Sequence, residues 1–328
     1  MSENLQFDKT IVENNHLKEF VPPPRFGATS FAGFLPQHKS QELARDKVSN
    51  FVKIDNDSTF RWPWQSKPIE GRGLYLDGGF GVGKTHLLAA AFYAFRGTKI
   101  YLSFSELVYL IGVLGRKNIG KLANYQLYCI DEFELDDPGN TLIVKSFLEE
   151  VFANKAKVIT TSNTIPEAQG KGRFNAEDFK RDIQGIANSF DLLSIDGPDY
   201  RKRDRLAVLD SQTKINSLYS LETDKSVLKL CWEELFVLLR DNHPINYRKL
   251  LERVDVLLVD GASPIILQVD ALRFVHFIDK LYDLKVGFRM SGDLSLADLF
   301  DDSYVNGAYA KKHYRCLSRI SELLEEKI

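Results

Sequence analysis

Residues 73–85 read Gly-Leu-Tyr-Leu-Asp-Gly-Gly-Phe-Gly-Val-Gly-Lys-Thr and decide the fold of this chain. From Gly78 to Thr85 they match G-x-x-x-x-G-K-[ST], a loop whose backbone N–H groups form an anion nest. The apolar residues 74–76 predict a buried strand before the loop, and residues 85–95 predict a helix whose positive end points at the same phosphates. The stretch therefore predicts a binding site for a nucleoside triphosphate.

The nucleotide contacts are expected from this loop and from the first turn of its helix. Lys84 is expected to neutralise charge on the β- and γ-phosphates, and the hydroxyl of Thr85 is expected to bind Mg²⁺. ATP and Mg²⁺ are thus the expected cofactors. The full set of predicted contacts is Gly78, Gly79, Phe80, Gly81, Val82, Gly83, Lys84, Thr85 and His86.

Strands and helices alternate after the loop. Short, almost entirely apolar runs predict five strands between residues 73 and 195, with helices between them. Strands of this kind form a parallel sheet that is covered by helices on both faces. The sequence therefore predicts an α/β fold of the P-loop NTPase class.

An acidic pair, Asp131 and Glu132, follows the third predicted strand at residues 127–130. The carboxyl end of a parallel strand downstream of a phosphate loop is where such a fold holds magnesium, so Asp131 is predicted to orient the ion. Glu132 is then placed to accept a proton from an attacking water. A capping box or an exposed acidic turn is the alternative interpretation.

Asn163 follows the fourth predicted strand at residues 157–161. In P-loop ATPases with a glutamate directly after the aspartate, this strand lies between the phosphate-loop strand and the strand that ends in the aspartate. Asn163 is therefore predicted to reach both the γ-phosphate and the lytic water. Alternatively, it begins the turn into Pro166.

Composition sets broader limits. The chain has 328 residues, 43 Lys plus Arg against 45 Asp plus Glu, and a formal net charge of −2, so no global basic field indicates nucleic acid or an acidic membrane. The cysteines Cys129, Cys231 and Cys316 are far apart and odd in number, which favours a reducing compartment. No transmembrane segment is expected because apolar residues never run on for about 18 positions. The expected location is cytoplasmic.

Several motifs together resemble the ZapE cell-division ATPases, bacterial AAA+ proteins akin to the mitochondrial AFG-one-like ATPases. The phosphate loop and the Asp-Glu pair are shared by many ATPases, whereas the combination with Phe133 and with residues 271–283 is more specific. The resemblance covers most of the chain from about Phe31. The segments that carry it are residues 76–88, 130–139, 161–166, 172–179, 199–201, 271–283 and 314–319.

The resemblance implies an ATPase of the AAA+ (ASCE) type that forms a ring-like homo-oligomer with ATP. It also implies action in bacterial division at the ring built by the tubulin-like protein FtsZ, or on another protein client. A stable nucleic-acid partner is not expected.

The AAA+ pattern further implies an arginine that reaches into the neighbouring subunit's nucleotide. Arg173 is the first candidate and Arg181 the second, although either residue could form an exposed ion pair with Glu177 or Asp178. A sensor arginine is a separate question. Arg201, Arg315 and Arg319 are its candidates, and a basic surface run is the alternative for each of these positions.

The second half of the chain departs from the usual helical AAA+ lid. Residues 255–260 and 285–289 read as strands on either side of a helix, while 226–240 and 309–327 read as helices. The distance from Asp131 to Ser162 is 31 residues, and the distance from Asp260 to Ser291 is also 31. We therefore predict a degenerate β-α-β repeat, unless this is only a common segment length.

The predicted organisation has three parts: residues 1–70 as an N-terminal arm and nucleotide-pocket segment, 71–205 as the AAA+ core, and 206–328 as an α/β lid region. The function expected from it is ATP hydrolysis coupled to work on a protein. Two alternatives remain, a nucleotide-switched nucleic-acid binder resembling the helicase loaders and a scaffold that binds ATP without hydrolysing it.

Overall fold

The computed structural model describes residues 20–53, 73–115, 122, 124–135, 138–165, 177–197, 206–220, 224–301, 304 and 309–327. The chain divides into two compact units. The core unit contains the described residues of 20–22 and 26–197, and the C-terminal unit contains Pro23–Arg25 and the described residues from 206 onwards. The boundaries predicted near residues 70 and 205 lie outside the described residues.

A five-stranded parallel sheet forms the centre of the core unit, with the strand order β2-β3-β4-β1-β5. Each strand except the last is followed by a helix. Its elements are α1 Lys39–Lys53, β1 Gly73–Gly78, α2 Lys84–Ala94, β2 Lys99–Ser103, α3 Phe104–Leu114, β3 Leu127–Asp131, α4 Pro138–Ala153, β4 Lys157–Ser162, α5 Glu177–Ala187 and β5 Phe190–Ile195.

The apolar runs that predicted β1 to β4 are buried in the sheet, whereas β5 buries only Leu193 and Ile195. The first four residues of β3 are fully buried. Helix α2 is also buried along nearly its whole length, with apolar residues such as Leu87 and Ala89 packed in the core. The prediction of five strands is confirmed. The prediction that the fourth strand lies between the phosphate-loop strand and the strand ending in Asp131 is also confirmed.

The C-terminal unit contains a second parallel sheet of its own, with the order β6-β7-β8. The two strands expected at residues 255–260 and 285–289 are present, but they pair with a third strand that the sequence did not predict. Residues 226–240, expected to be one helix, begin with that strand. The elements are α6 Gln212–Tyr219, β6 Val227–Cys231, α7 Trp232–Asp241, α8 Tyr247–Leu251, β7 Val256–Asp260, α9 Gln268–Leu284, β8 Gly287–Met290 and α10 Ala310–Glu325.

The strand ends of the two sheets carry similar contacts. The hydroxyl of Thr161 donates to Asp131 Oδ1, and the hydroxyl of Ser291 donates to Asp260 Oδ1 at 2.5 Å. Each hydroxyl oxygen also accepts the N–H of the residue after the aspartate, at 3.0 Å and 3.3 Å. The two sheets therefore share this pair of contacts at their central aspartate.

The helix after β2 in the core unit and the helix after β6 in the C-terminal unit have the same kind of N-cap. Ser103 begins α3 with a capping box to Glu106, and Cys231 begins α7 with a capping box to Glu234. In the sheet registers Ser103 lies opposite Asp131, and Cys231 lies opposite Asp260. The described elements run β2, α3, β3, α4 and β4 in the core unit and β6, α7, α8, β7, α9 and β8 in the C-terminal unit, which adds the short helix α8 to the same alternation.

A buried ion cluster joins α9 to α10 in the C-terminal unit. Asp279 accepts hydrogen bonds from Arg315, at 2.6 Å, and from Arg319. Burial alone raises the pKa of Asp279, but the two guanidiniums outweigh burial and lower it to about 2. Arg25 belongs to the same unit because its guanidinium lies 3.6 Å from the centre of the Tyr282 ring and pairs with Glu326 at 2.8 Å.

Within the described ranges, no helix combines the length and the apolar character that a membrane crossing requires.

Candidate active site

The phosphate loop connects β1 to α2 at the carboxyl edge of the core sheet. Gly81 and Gly83 have positive φ angles of 68° and 93°. Two features disfavour a side chain at Gly83. The backbone there is left-handed, and a Cβ atom would overlap the ring of Phe34. This backbone is what lets successive N–H groups turn towards an anion at the start of α2.

Lys84 is buried, with only 8% of its surface exposed, and its ammonium group lies at the loop. Lys84 Nζ donates to the carbonyls of Gly78, at 2.8 Å, and Gly79, at 2.5 Å, and to Asn163 Oδ1 at 2.9 Å. The ammonium therefore joins the phosphate loop to the residue that follows β4. This contact brings together two predicted site residues that are 79 positions apart in sequence.

Asp131 lies at the end of β3 and receives hydrogen bonds from several elements. Thr85 at the start of α2 donates its hydroxyl to Asp131 Oδ1 at 3.3 Å, and the hydroxyl of Thr161 donates to the same oxygen. Tyr101 donates its phenol to Oδ2 at 2.9 Å. A hydroxyl and a carboxylate are hard oxygen donors, so Thr85 and Asp131 together fit Mg²⁺.

Glu132 adopts a left-handed backbone, with a φ angle of 55°, directly after that aspartate. Its N–H donates to Asp131 Oδ1 at 3.2 Å and to Thr161 Oγ1 at 3.0 Å, which fixes the turn. The next residue, Phe133, is fully buried and packs edge-on against Tyr75 and Phe104. The half-exposed Glu132 therefore stands on a rigid support at the same sheet edge as Lys84 and Asn163.

Residues that precede strand β1 also contact the phosphate loop, and sequence reasoning did not find them. Gln41 is fully buried, donates to the carbonyl of Val82 at 3.2 Å, and accepts the N–H groups of Gln37 and His38. The ring of His86, a predicted nucleotide contact, lies against Phe34 and within 3.1 Å of the carbonyl of Ser30, and its contact with nucleotide stays a prediction. The N-terminal segment thus supports the loop from outside the motif, and no sequence pattern marks Gln41.

The predicted arginines have different outcomes. Arg173 and Arg201 lie outside the described residues. Arg181 is exposed on α5.

Arg315 and Arg319 are each only 6% exposed and bind Asp279, so the interpretation of this pair as a solvent-exposed basic stripe was wrong. The helical spacing of four residues gives a shared face but not what covers that face. The assignment of either residue as a sensor arginine stays a prediction.

Comparison with protein families gives one match over nearly the whole chain. A sequence model described as "AFG1-like ATPase" matches residues 16–236 and 230–328.

Two curated relatives are similar over most of the chain. The cell division protein ZapE of Escherichia coli strain K12 is 24% identical over 304 residues, which span 78% of this chain and 79% of that protein. Lactation elevated protein 1 homolog B of Danio rerio is 24% identical over 321 residues, which span 79% of this chain and 63% of that protein.

Two of the solved structures that the chain resembles match about half of it. The replication initiator DnaA bound to AMPPCP and single-stranded DNA is 15% identical, with a TM-score of 0.41 over 54% of this chain and 52% of that chain. The DnaC helicase loader is 21% identical, with a TM-score of 0.38 over 53% of this chain and 99% of that chain. The fold assignment rests on the strand order and the phosphate loop, not on these scores.

Proposed function

This chain belongs to the AFG1-like ATPase family, and from that premise we propose that it hydrolyses ATP with Mg²⁺ as an AAA+ oligomer acting on a protein partner. ATP hydrolysis is the activity of the family. The observation that best supports the proposed site is a pair of contacts. Lys84 binds Asn163 at 2.9 Å, and Thr85 binds Asp131 at 3.3 Å. These contacts join three separate sequence motifs at one edge of a parallel sheet.

The proposed site works by alignment and charge neutralisation. Lys84 and the N–H groups of the loop offset the negative charge of the β- and γ-phosphates. Thr85 and Asp131 hold Mg²⁺, which neutralises charge on the phosphate oxygens when it is bound.

The two remaining site residues, Glu132 and Asn163, activate and orient the attacking water. Glu132 accepts the proton of the attacking water, and Asn163, fixed by Lys84, orients that water. The positive φ angle of Glu132 is consistent with this role, because strained backbone is retained where function requires it.

The proposed oligomer supplies one further charge. An arginine of a neighbouring copy completes the site, with Arg173 as first candidate and Arg181 as second. Arg181 lies on the exposed side of α5, where a second copy can reach it. Such an arginine is worth about 10³ to 10⁵ in rate in enzymes that use one.

The proposed partner is the FtsZ ring of a dividing bacterium, and the proposed location is the cytoplasm. The support is the similarity to the ZapE protein of Escherichia coli, whose name describes a cell division protein. The formal net charge of −2 disfavours the competing assignment to nucleic acid, since such binders carry a basic surface.

Phosphate release with FtsZ filaments, with single-stranded DNA and with neither tests this proposal. We expect FtsZ filaments to increase the rate per chain and DNA to leave it unchanged. The Glu132→Gln protein serves as the control, since it should bind ATP, run as a larger species in a sizing measurement and release almost no phosphate. Stimulation by DNA alone would instead favour a protein of the helicase-loader type.

A further inference from the structure

Tyr101 lies in the middle of β2 and is 5% exposed. In the parallel register it faces Cys129, two residues before Asp131 on β3, and a long aromatic side chain can reach such a diagonal neighbour. The phenol donates to Asp131 Oδ2 at 2.9 Å. The Tyr101 ring packs edge-on against Phe92 of α2, with ring centres 6.2 Å apart and planes at 86°.

The other oxygen of Asp131 is held by different donors. Oδ1 accepts from the hydroxyls of Thr85 and Thr161 and from the N–H of Glu132. The donors to the two oxygens therefore come from β2, from β4, from the start of α2 and from the turn itself. Tyr101 and Thr161 act on opposite oxygens, so together they define the rotation of the carboxylate plane.

The second sheet provides an internal comparison for these donors. Asp260 at the end of β7 is held by the hydroxyl of Ser291, as Asp131 is held by that of Thr161. The sequence after residue 205 contains no G-x-x-x-x-G-K pattern. The hydroxyl contact is thus part of how such strand ends are built, whether or not a phosphate loop is present.

The core sheet and the second sheet differ in the residue at the position of Tyr101. Lys229 on β6 lies two residues before Cys231, as Tyr101 lies two residues before Ser103, and Cys231 faces Asp260 in the register. Lys229 donates to Asn216 at 2.6 Å. Asp260 Oδ2 accepts instead from the side-chain amide of Gln212 on α6, at 2.9 Å. Both central aspartates thus have a donor on Oδ2, and the two sheets differ in that donor: a phenol from the neighbouring strand β2 in the core unit, and an amide from α6 in the C-terminal unit.

We infer that Tyr101 is a positioning residue for Asp131, which acts by fixing the orientation in which Oδ1 faces Thr85. This inference rests on the proposed magnesium site, in which Thr85 supplies its hydroxyl to the ion and Asp131 orients the ion. Without the phenol, Oδ2 loses a donor and the carboxylate can rotate about its last side-chain bond. Loss of such a supporting hydrogen bond costs about 10- to 100-fold in metal affinity.

Tyr101→Phe in the full chain tests this role, with Tyr93→Phe as the matched control. Tyr93 is 41% exposed and also contacts Phe92, so the control removes a phenol hydroxyl from the same aromatic cluster without touching Asp131. The measurement is the affinity for a fluorescent ATP analogue with Mg²⁺ and with EDTA, together with phosphate release as a function of free Mg²⁺.

For Tyr101→Phe we expect unchanged affinity in EDTA and a Mg²⁺ requirement raised about 10-fold or more, with the rate restored by excess Mg²⁺. Tyr93→Phe should match the unmodified chain. A normal Mg²⁺ requirement in Tyr101→Phe overturns the inference, provided that Asp131→Asn loses its Mg²⁺ response. If Asp131→Asn also keeps a normal Mg²⁺ response, the proposed magnesium site itself is wrong.

Discussion

Glu132 and Gly261 occupy matching places in the two sheets, each directly after the aspartate that ends a central strand, and both have positive φ angles, of 55° and 75°. Glycine adopts this conformation freely, whereas a residue with a Cβ atom is strained there. The core unit therefore keeps a strained glutamate where the C-terminal unit has an unstrained glycine. The difference is what a functional requirement for the carboxylate predicts.

Replacing Glu132 by glycine should separate stability from function. We expect Glu132→Gly to raise the free energy of unfolding by about 1 kcal/mol, because relief of strain exceeds the added entropy of the unfolded chain. Phosphate release should be lost. Denaturant unfolding measures the first effect, with Glu132→Gln as the control that keeps the strain. A Glu132→Gly protein less stable than Glu132→Gln would contradict this account.

Nucleotide stoichiometry tests the second sheet. We propose that it is a degenerate copy of the strands β2, β3 and β4, in which Gly261 stands for Glu132 and no phosphate loop is present. One ATP analogue should therefore bind per chain, and Lys84→Ala should abolish that binding. Calorimetric titration measures both quantities. A site that survives in Lys84→Ala would show that the C-terminal unit binds nucleotide as well.

The buried Asp279 should make stability depend on pH. Its pKa of about 2 lies below the value of about 3.9 for an aspartate in an unfolded chain. The stabilisation is therefore complete above about pH 4 and is lost as the pH falls towards 2.

At neutral pH we expect Asp279→Asn to cost about 3–5 kcal/mol, because Arg315 and Arg319 lose the charge that balances them in the interior. Denaturant unfolding between pH 7 and pH 2 should show this difference shrinking as the native carboxylate is protonated. Asp298→Asn, at an exposed position, is the matched control and should behave as the unmodified chain. A difference independent of pH would contradict the assignment.

The role of Gln41 can be tested at the phosphate loop. Gln41→Leu leaves the buried carbonyl of Val82 without its donor and removes the acceptor of the Gln37 and His38 N–H groups, so we expect a loss of about 1–3 kcal/mol in stability and weaker ATP binding. Asn50→Leu, an exposed amide on the same helix, should change neither quantity. Full ATP affinity in Gln41→Leu would show that the loop holds its shape without α1.

Arg181 can be tested by mixing subunits. If Arg181 serves a neighbour's site, Arg181→Ala and Lys84→Ala should each be inactive, yet mixing should restore activity at sites that combine an intact loop with an intact arginine. Arg45→Ala is the control, at a half-buried arginine of α1 that pairs with Asp46. Full activity of Arg181→Ala would leave Arg173 as the remaining candidate.

The sequence predicted the core sheet well because its signals are local. A phosphate loop after Leu76 and apolar strands such as 127–130 specify both the elements and their parallel order. The strand Val227–Cys231 was missed because it runs into α7 without a glycine or proline between them, so the whole segment reads as helical.

Contacts between distant residues escaped sequence reasoning where no motif marks the partners. Tyr101 reaches Asp131 across 30 residues, Gln41 reaches Val82 across 41, and Arg319 reaches Asp279 across 40. Each is decided by which element packs beside which, and no spacing along the chain encodes that.

The most direct test of the central claim is phosphate release by the unmodified chain and by Glu132→Gln over a range of protein concentrations, with ATP affinity measured in parallel. The account predicts a rate per chain that rises with concentration, and a Glu132→Gln protein that binds ATP equally well but releases phosphate about 10² to 10⁴ times more slowly. Equal rates for the two proteins, or no phosphate release at any concentration, would contradict it.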